Sequence, residues 1–222
     1  MKKEQVALIV GGSSGLGLEI ALLLAKTHRV FITGRRDPRS KVCIFFKINL
    51  DKKTVEKDIS SLVTKLPHID ILVYAAGFYQ EGTLTDLRRD DVDAMIHVGL
   101  LAPILLIKKI LTKQRSLDNF IAVTSTSQWT PRLLEPVYTA VKAGLGMLSN
   151  SLSLDDRLGK VLVAGPAGMN TRFWEKSPRG ASTMLDPSWV AKQVIKHLTG
   201  RFKYKFIRIL RNPSRVEVVE KR

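Results

Sequence analysis

Seven short apolar runs recur along the chain, at 6–10 (VALIV), 30–33 (VFIT), 42–46 (VCIFF), 69–74 (IDILVY), 120–124 (FIAVT), 160–164 (KVLVA) and 205–210 (KFIRIL). Runs this short, with little polar alternation, predict strands buried on both faces of a parallel sheet. Between them the apolar spacing changes to three and four residues. Val55, Ile59, Leu62, Val63 and Leu66 mark a helix over 54–66, and a mostly apolar helix is predicted over 90–113, with Pro103 expected to kink it unless a neighbour absorbs the defect. Asp186 followed by Pro187 starts another helix that runs to about Leu198. Strands alternating with helices are the pattern of an α/β domain, a doubly wound parallel sheet flanked by helices on both faces. The segment 37–41 is short and contains Pro38, so a loop is expected between the second and third strands.

Composition narrows the picture. No linker-like tract divides the 222 residues, and 45% of them are hydrophobic, so one globular domain spanning 1–222 is expected. The apolar run near the N-terminus ends at Gly11 and Gly12 and reads as a first strand, not a signal peptide. The longest apolar stretch, 98–107, is about half of the ~20 residues a bilayer span requires, so no segment is expected to cross a membrane. The single cysteine, Cys43, falls in an apolar run and suits a reducing, cytoplasmic compartment as a core thiol. His28, His68, His97 and His197 lack ligand spacing, so no metal site is expected. The formal charge of +16 would gather anions around the molecule. Cofactor, nucleic acid and lipid headgroup all satisfy that field, and so does a merely solvated basic surface. The tail from 201 to 222, with eight basic and two acidic residues, reads as a solvated edge or, alternatively, as a surface for polyanions.

Chemistry enters at the junction of the first strand and first helix. Gly11, Ser13, Ser14, Gly15, Leu16 and Gly17 form a tight turn in which glycines let the backbone approach a ligand and the opening N–H groups of a helix face it. The spacing G-x-x-x-G-x-G resembles that of the short-chain dehydrogenase/reductase family, with Val10 in place of the usual leading threonine. Further along, Ser125 stands at the end of the fifth apolar run, and Tyr138 and Lys142 follow in YTAVK, matching the family's S…Y-x-x-x-K. Four-residue spacing on a helix puts the phenol and the ammonium on one face. The resemblance covers nearly the whole chain and implies a Rossmann-like fold, a nicotinamide cofactor and a substrate that is a small carbonyl compound or alcohol.

The same resemblance assigns roles residue by residue. Tyr138 would exchange a proton with the substrate oxygen, Ser125 would hold that oxygen, and Lys142 would bind the nicotinamide ribose. A cation about 4 Å from the phenol at an effective dielectric of ~20 is worth roughly 4 kcal/mol, so Lys142 is expected to bring Tyr138 toward neutrality. Gly34 stands where an NAD-selecting acid would be, and Arg35 and Arg36 follow, so NADP(H) is expected over NAD(H). Asn49 is placed beside the adenine, Ala76 and Gly77 along the cofactor, and Pro166 and Thr171 near the nicotinamide. Residues 170–186, with Arg172, Phe173, Trp174, Lys176 and Arg179, read as a substrate lid. The family's packing of one long helix against its copy implies a homodimer or homotetramer, through the apolar run 100–107; burial within the chain is the alternative.

The sequence departs from the family at several positions. The N-N-A-G motif reads Tyr74, Ala75, Ala76, Gly77; Gly99 stands where a catalytic-tetrad asparagine would anchor a water; and Ala167 replaces the glycine of P-G-x-x-x-T. The expected activity is NADPH-dependent carbonyl reduction or its reverse. The alternative is a weak or inactive dinucleotide sensor or scaffold, with its basic surface able to contact nucleic acid.

Overall fold

A computed structural model describes residues 4–52, 54–174 and 183–222. Eight strands form one sheet: β1 (Val6–Val10), β2 (Arg29–Gly34), β3 (Ile44–Lys47), β4 (Ile71–Tyr74), β5 (Leu117–Val123), β6 (Leu158–Pro166), β7 (Tyr204–Leu210) and β8 (Arg215–Lys221), in the order β3-β2-β1-β4-β5-β6-β7-β8. The first seven are parallel and β8 returns antiparallel to β7. Successive side chains of a strand point to opposite faces, and the sequence is apolar on both. Leu8, Leu72, Phe120 and Val161 face the helices α2 (Val55–Lys65), α4 (Ala102–Gln114) and α5 (Pro136–Leu152). Ile9, Val73, Ile121 and Leu162 face α1 (Gly15–Leu24) and α6 (Pro187–His197), which pack side by side. The doubly wound α/β architecture expected from the sequence is thus present, including the loop that replaces a helix between β2 and β3.

Strand order reverses between β1 and β4, which places the glycine turn after β1 beside the turn after β4. Open sheets of this kind bind their ligands at such a point. The approach is close enough to exclude side chains. A Cβ on Gly11, whose φ is +83°, would lie 2.5 Å from the Ala76 nitrogen, and one on Gly17 would lie 2.3 Å from the Gly11 carbonyl oxygen.

Three expectations are corrected by the fold. The run 205–210 is not the last strand: the chain turns back after Leu210 and pairs with β7 as β8, a largely solvated edge strand in which Val216 packs against the core. Pro103 does not simply kink its helix. The helix runs over 26 residues, Arg89–Gln114, through α3 (Arg89–Ile96), a π-helical segment His97–Leu101, and α4. Pro103 occupies the first turn of α4, where the wider π turn accommodates a residue without an N–H. By length and composition alone this helix would suffice to cross a bilayer, yet Ala102, Leu106, Ile107, Ile110 and Leu111 are buried against the sheet. Most of the run 100–107 is therefore core, with Ile104 left 39% exposed. Cys43, the third correction, is half-buried at the β3 edge rather than in the core.

The π segment also explains two departures from the family. The buried Tyr74 phenol donates to the Val98 carbonyl, so the aromatic that replaces an asparagine ties the sheet to the helix. Gly99 lies against α5, where a Cβ would be 2.1 Å from Val141 Cγ1. Restoring the family residue is therefore expected to fail on steric grounds. Gly99→Asn should destabilise the chain by about 1–3 kcal/mol in urea unfolding, and Val141→Ala in the same chain should recover part of the loss; an unchanged midpoint in the single variant would refute this packing.

Candidate active site

Two elements meet at the carboxyl edge of β4 and β5. Beyond β5 the chain stays extended at Ser125, which caps the short 3-10 helix Thr126–Gln128 by accepting from the Ser127 N–H at 3.1 Å. Pro136 opens α5, and two turns of that helix carry Tyr138 and Lys142 on one face. Both are buried, at 6% and 4% exposure. The Ser125 side chain stands beside the Tyr138 phenol. Lys142 Nζ donates to the Val123 carbonyl at 3.1 Å and lies 5.6 Å from the centre of the Tyr138 ring.

Burial dominates the electrostatics. It pushes the Tyr138 phenol well above its ordinary value, a rise that the Ser125 side chain opposes and the nearby Glu135 carboxylate adds to. The same desolvation lowers the Lys142 ammonium to about 8. The expectation that Lys142 brings Tyr138 near neutrality is therefore not met in this state: both groups have lost water, and the ammonium points at Val123.

Gly77 joins this centre to the glycine turn. A Cβ there would lie 3.8 Å from Lys142 Nζ and 3.4 Å from the Phe173 ring. At the other end, Gly15, at a φ of +54°, lies beneath Thr171, 3.2 Å separating its Cβ position from Thr171 Cγ2. Ala76 is buried beside Gly11, and Pro166 ends β6 in register with Ile209. Ser14 stands at the N-cap of α1 with no side-chain capping bond, and the first turn holds no acid, so the N–H groups there, with Leu16 buried behind them, face outward for an anion. A diphosphate fits that cradle.

A cavity of about 500 Å³ opens beyond β2 and β3, lined by Arg35, Lys47, Asn49, Lys52 and Lys65 with Asp58 as its acid. The structure thus brings Arg35 and Asn49 together as expected, while the exposed Arg36 is not part of the lining. Ser13 packs against Gly34 so closely that a Cβ at 34 would lie 2.1 Å from its Oγ. Glycine at position 34 is thus a packing requirement.

Over Tyr138 lies an aromatic roof. Tyr79 meets it edge to face at 5.2 Å, Phe173 lies 6.1 Å from it, and Tyr79 and Phe173 stack at 5.8 Å. The two ends of the segment read as a lid are joined by a bridge between Met169 and Leu185. Lys176, Arg179 and the Trp174 side chain lie outside the described residues. Sequence reasoning missed Tyr79, Ser127, Glu135, Lys47 and Lys52. Glu135 precedes a proline at a helix start, a position that ordinarily reads as an exposed cap.

The family model for short chain dehydrogenases matches residues 5–181. Among relatives, an uncharacterized oxidoreductase of Staphylococcus epidermidis is 28% identical over 212 residues, covering 89% of this chain and 92% of that protein. A 3-oxoacyl-[acyl-carrier-protein] reductase of Rickettsia felis is 29% identical over 161 residues, covering 68% of this chain and 66% of its own. In fold, the chain is similar to a short-chain dehydrogenase from Sphingobium yanoikuyae in complex with NADPH, with a TM-score of 0.79 at 18% identity over 87% of this chain and 84% of that one. A match over most of the chain, on a sheet of this order, means that the chain belongs to the short-chain dehydrogenase family of oxidoreductases.

Proposed function

We propose that this protein is an NADPH-dependent oxidoreductase that reduces a ketone or aldehyde to an alcohol, or runs the reverse, with Ser125, Tyr138 and Lys142 at its centre. The observation that carries this is the grouping of those three side chains at the carboxyl end of β5, with Lys142 Nζ beside Gly77, which follows the Ala76 that packs on the glycine turn. The dinucleotide supplies or takes up a hydride when bound. Its diphosphate would rest on Ser13, Ser14, Gly15, Leu16 and Gly17, its 2′-phosphate near Arg35 and Arg36, and its adenine near Asn49. Ala76, Gly77, Pro166 and Thr171 would border the rest. Tyr138 delivers a proton to the substrate oxygen and Ser125 holds that oxygen by its hydroxyl. Residues 170–186 act as the lid of a single domain, in the cytoplasmic setting that one half-buried thiol suits.

A second reading, a dinucleotide-binding protein with little turnover, draws support from the raised phenol and its roof of Tyr79 and Phe173. One experiment separates the two. NADPH and NADH are titrated by nicotinamide fluorescence, and turnover is followed with 3-oxoacyl thioesters, the substrate class in the Rickettsia relative's name, and with aromatic aldehydes that match the roof. Arg35→Ala should weaken NADPH by about tenfold or more while sparing NADH. Tyr138→Phe should leave binding intact and lower kcat by about 10²–10⁴-fold. Binding without turnover in the unmodified protein would favour the second reading.

Burying a lysine for this purpose costs stability, and the sign follows from its shift. Below pH 8 Lys142 is charged in both states and the cost is complete; between about 8 and 10.5 the unfolded chain binds more protons, so stability rises with pH until the cost is gone. Lys142→Met should therefore gain about 1–3 kcal/mol at pH 7, the lost Val123 hydrogen bond taking part of the benefit, and the gain should vanish above pH 10.5. An equal gain at both pH values would contradict this account.

We also propose a homodimer or homotetramer. Ile104 and Met147, 39% and 65% exposed on α4 and α5, support it. Sedimentation as a monomer at micromolar concentration would remove the idea.

A further inference from the structure

Aromatic rings from three separate elements meet in the cleft: Tyr138 from α5, Tyr79 from the turn after β4, and Phe173 from the short 3-10 turn Arg172–Trp174. Phe173 is the one whose position core packing does not explain. It is 36% exposed, yet its ring turns into the cleft and lies over the Tyr79 ring at 5.8 Å, with 27° between the planes. Stacking of this kind is what flat rings seek when they leave water together. The ring also reaches past Tyr79 to the backbone. From the position a Cβ would take on Gly77, Phe173 Cε2 is 3.4 Å away, Phe173 Cζ 3.9 Å and Lys142 Nζ 3.8 Å. The edge of the ring and the ammonium therefore border the same small space, above a residue with no side chain to fill it.

That space is the one a nicotinamide nucleotide needs, because Lys142 is the group that would hold its ribose and Tyr138 the group that would act beside its ring. Phe173 is itself a flat six-membered ring. We propose that Phe173 is an internal occupant of the nicotinamide pocket: in the ligand-free protein its ring, stacked on Tyr79, holds the place of the nicotinamide, and it must leave before that half of the cofactor can enter. The inference rests on the reading that this chain takes a nicotinamide dinucleotide, and it adds the residue that sets how tightly.

Only one half of the cofactor is contested. Arg35 and Asn49 line a cavity beyond β2 and β3, and the head of α1 is uncapped, so the adenosine and diphosphate groups would meet no competing side chain from Phe173. The turn that carries the ring is tied to the edge of the anion cradle. Phe173 N–H donates to Thr171 Oγ1 at 3.4 Å, and Thr171 Cγ2 lies 3.2 Å from the Cβ position of Gly15. A competing internal ring reduces apparent affinity by the fraction of molecules in which the pocket is open, so a ring in place in about nine molecules of ten weakens binding about tenfold.

The test places 3-fluorophenylalanine at position 173 and follows it by fluorine NMR. In the ligand-free protein the resonance should be displaced from its solvent value by the neighbouring rings, and Tyr79→Leu should reduce the displacement. NADPH should move the signal, whereas adenosine 2′,5′-bisphosphate, which has no nicotinamide, should leave it in place. In calorimetric titrations Phe173→Ala should bind NADPH about tenfold more tightly and the bisphosphate with unchanged affinity. Phe173→Leu should shift NADPH affinity in the same direction and serves if the alanine variant does not fold. A solvent-like resonance without ligand overturns the proposal. So does a resonance unmoved at NADPH saturation, the behaviour of a fixed roof, or weaker NADPH binding in Phe173→Ala, the behaviour of a ring that grips the cofactor. NADPH binding that appears only when Phe173 is removed supports it, and no NADPH binding in any variant overturns it together with the cofactor reading. Because every readout is binding or a resonance, absence of turnover would count against the oxidoreductase reading alone.

Discussion

The site depends on one close approach of backbone to backbone. Gly11 lies against the Ala76 nitrogen, and Gly17 against Gly11 itself, with no room for a Cβ at either position. That contact brings the turn after β1 and the turn after β4 together where strand order reverses. The head of α1 then faces the cleft with its N–H groups uncapped, and Gly77 is carried to within reach of Lys142. An added methyl group at Gly11 would separate the two turns and with them the head of α1 from Lys142 and Tyr138.

Burial governs the second half of the site. Water is excluded around Tyr138 and Lys142, and that exclusion works against the charged form of each. The phenol is raised and the ammonium lowered by the same cause, so the ligand-free protein holds a neutral tyrosine ready to donate. Tyr79 and Phe173 extend the exclusion as a roof of aromatic rings.

The departures from the family sequence have local partners. Tyr74 satisfies the Val98 carbonyl in the π-helical turn, Gly99 makes room for Val141, and Gly34 makes room for Ser13. At these three positions a neighbour occupies or ties down the space.

Much of this was legible in the chain itself. The parallel sheet followed from apolar runs such as 6–10 and 120–124, because a strand covered on both faces must be apolar on both. The glycine turn and the Ser125, Tyr138, Lys142 series followed from spacing, because a tight turn and a helix face are set by neighbours within a few residues. Other features could not be read that way. That the basic tail becomes β8 depended on the free edge of β7; that Pro103 sits in a relaxed first turn depended on the π segment before it; and that Tyr138 is raised rather than lowered depended on how completely other elements bury it. Glu135 and Ser127 carried no signal at all in sequence, since a carboxylate beside a proline reads as exposed until α5 is packed against the sheet. Sequence determined what local geometry and covalent spacing control, while desolvation and side-chain juxtaposition, which sum over residues far apart in the chain, were decided by the tertiary structure.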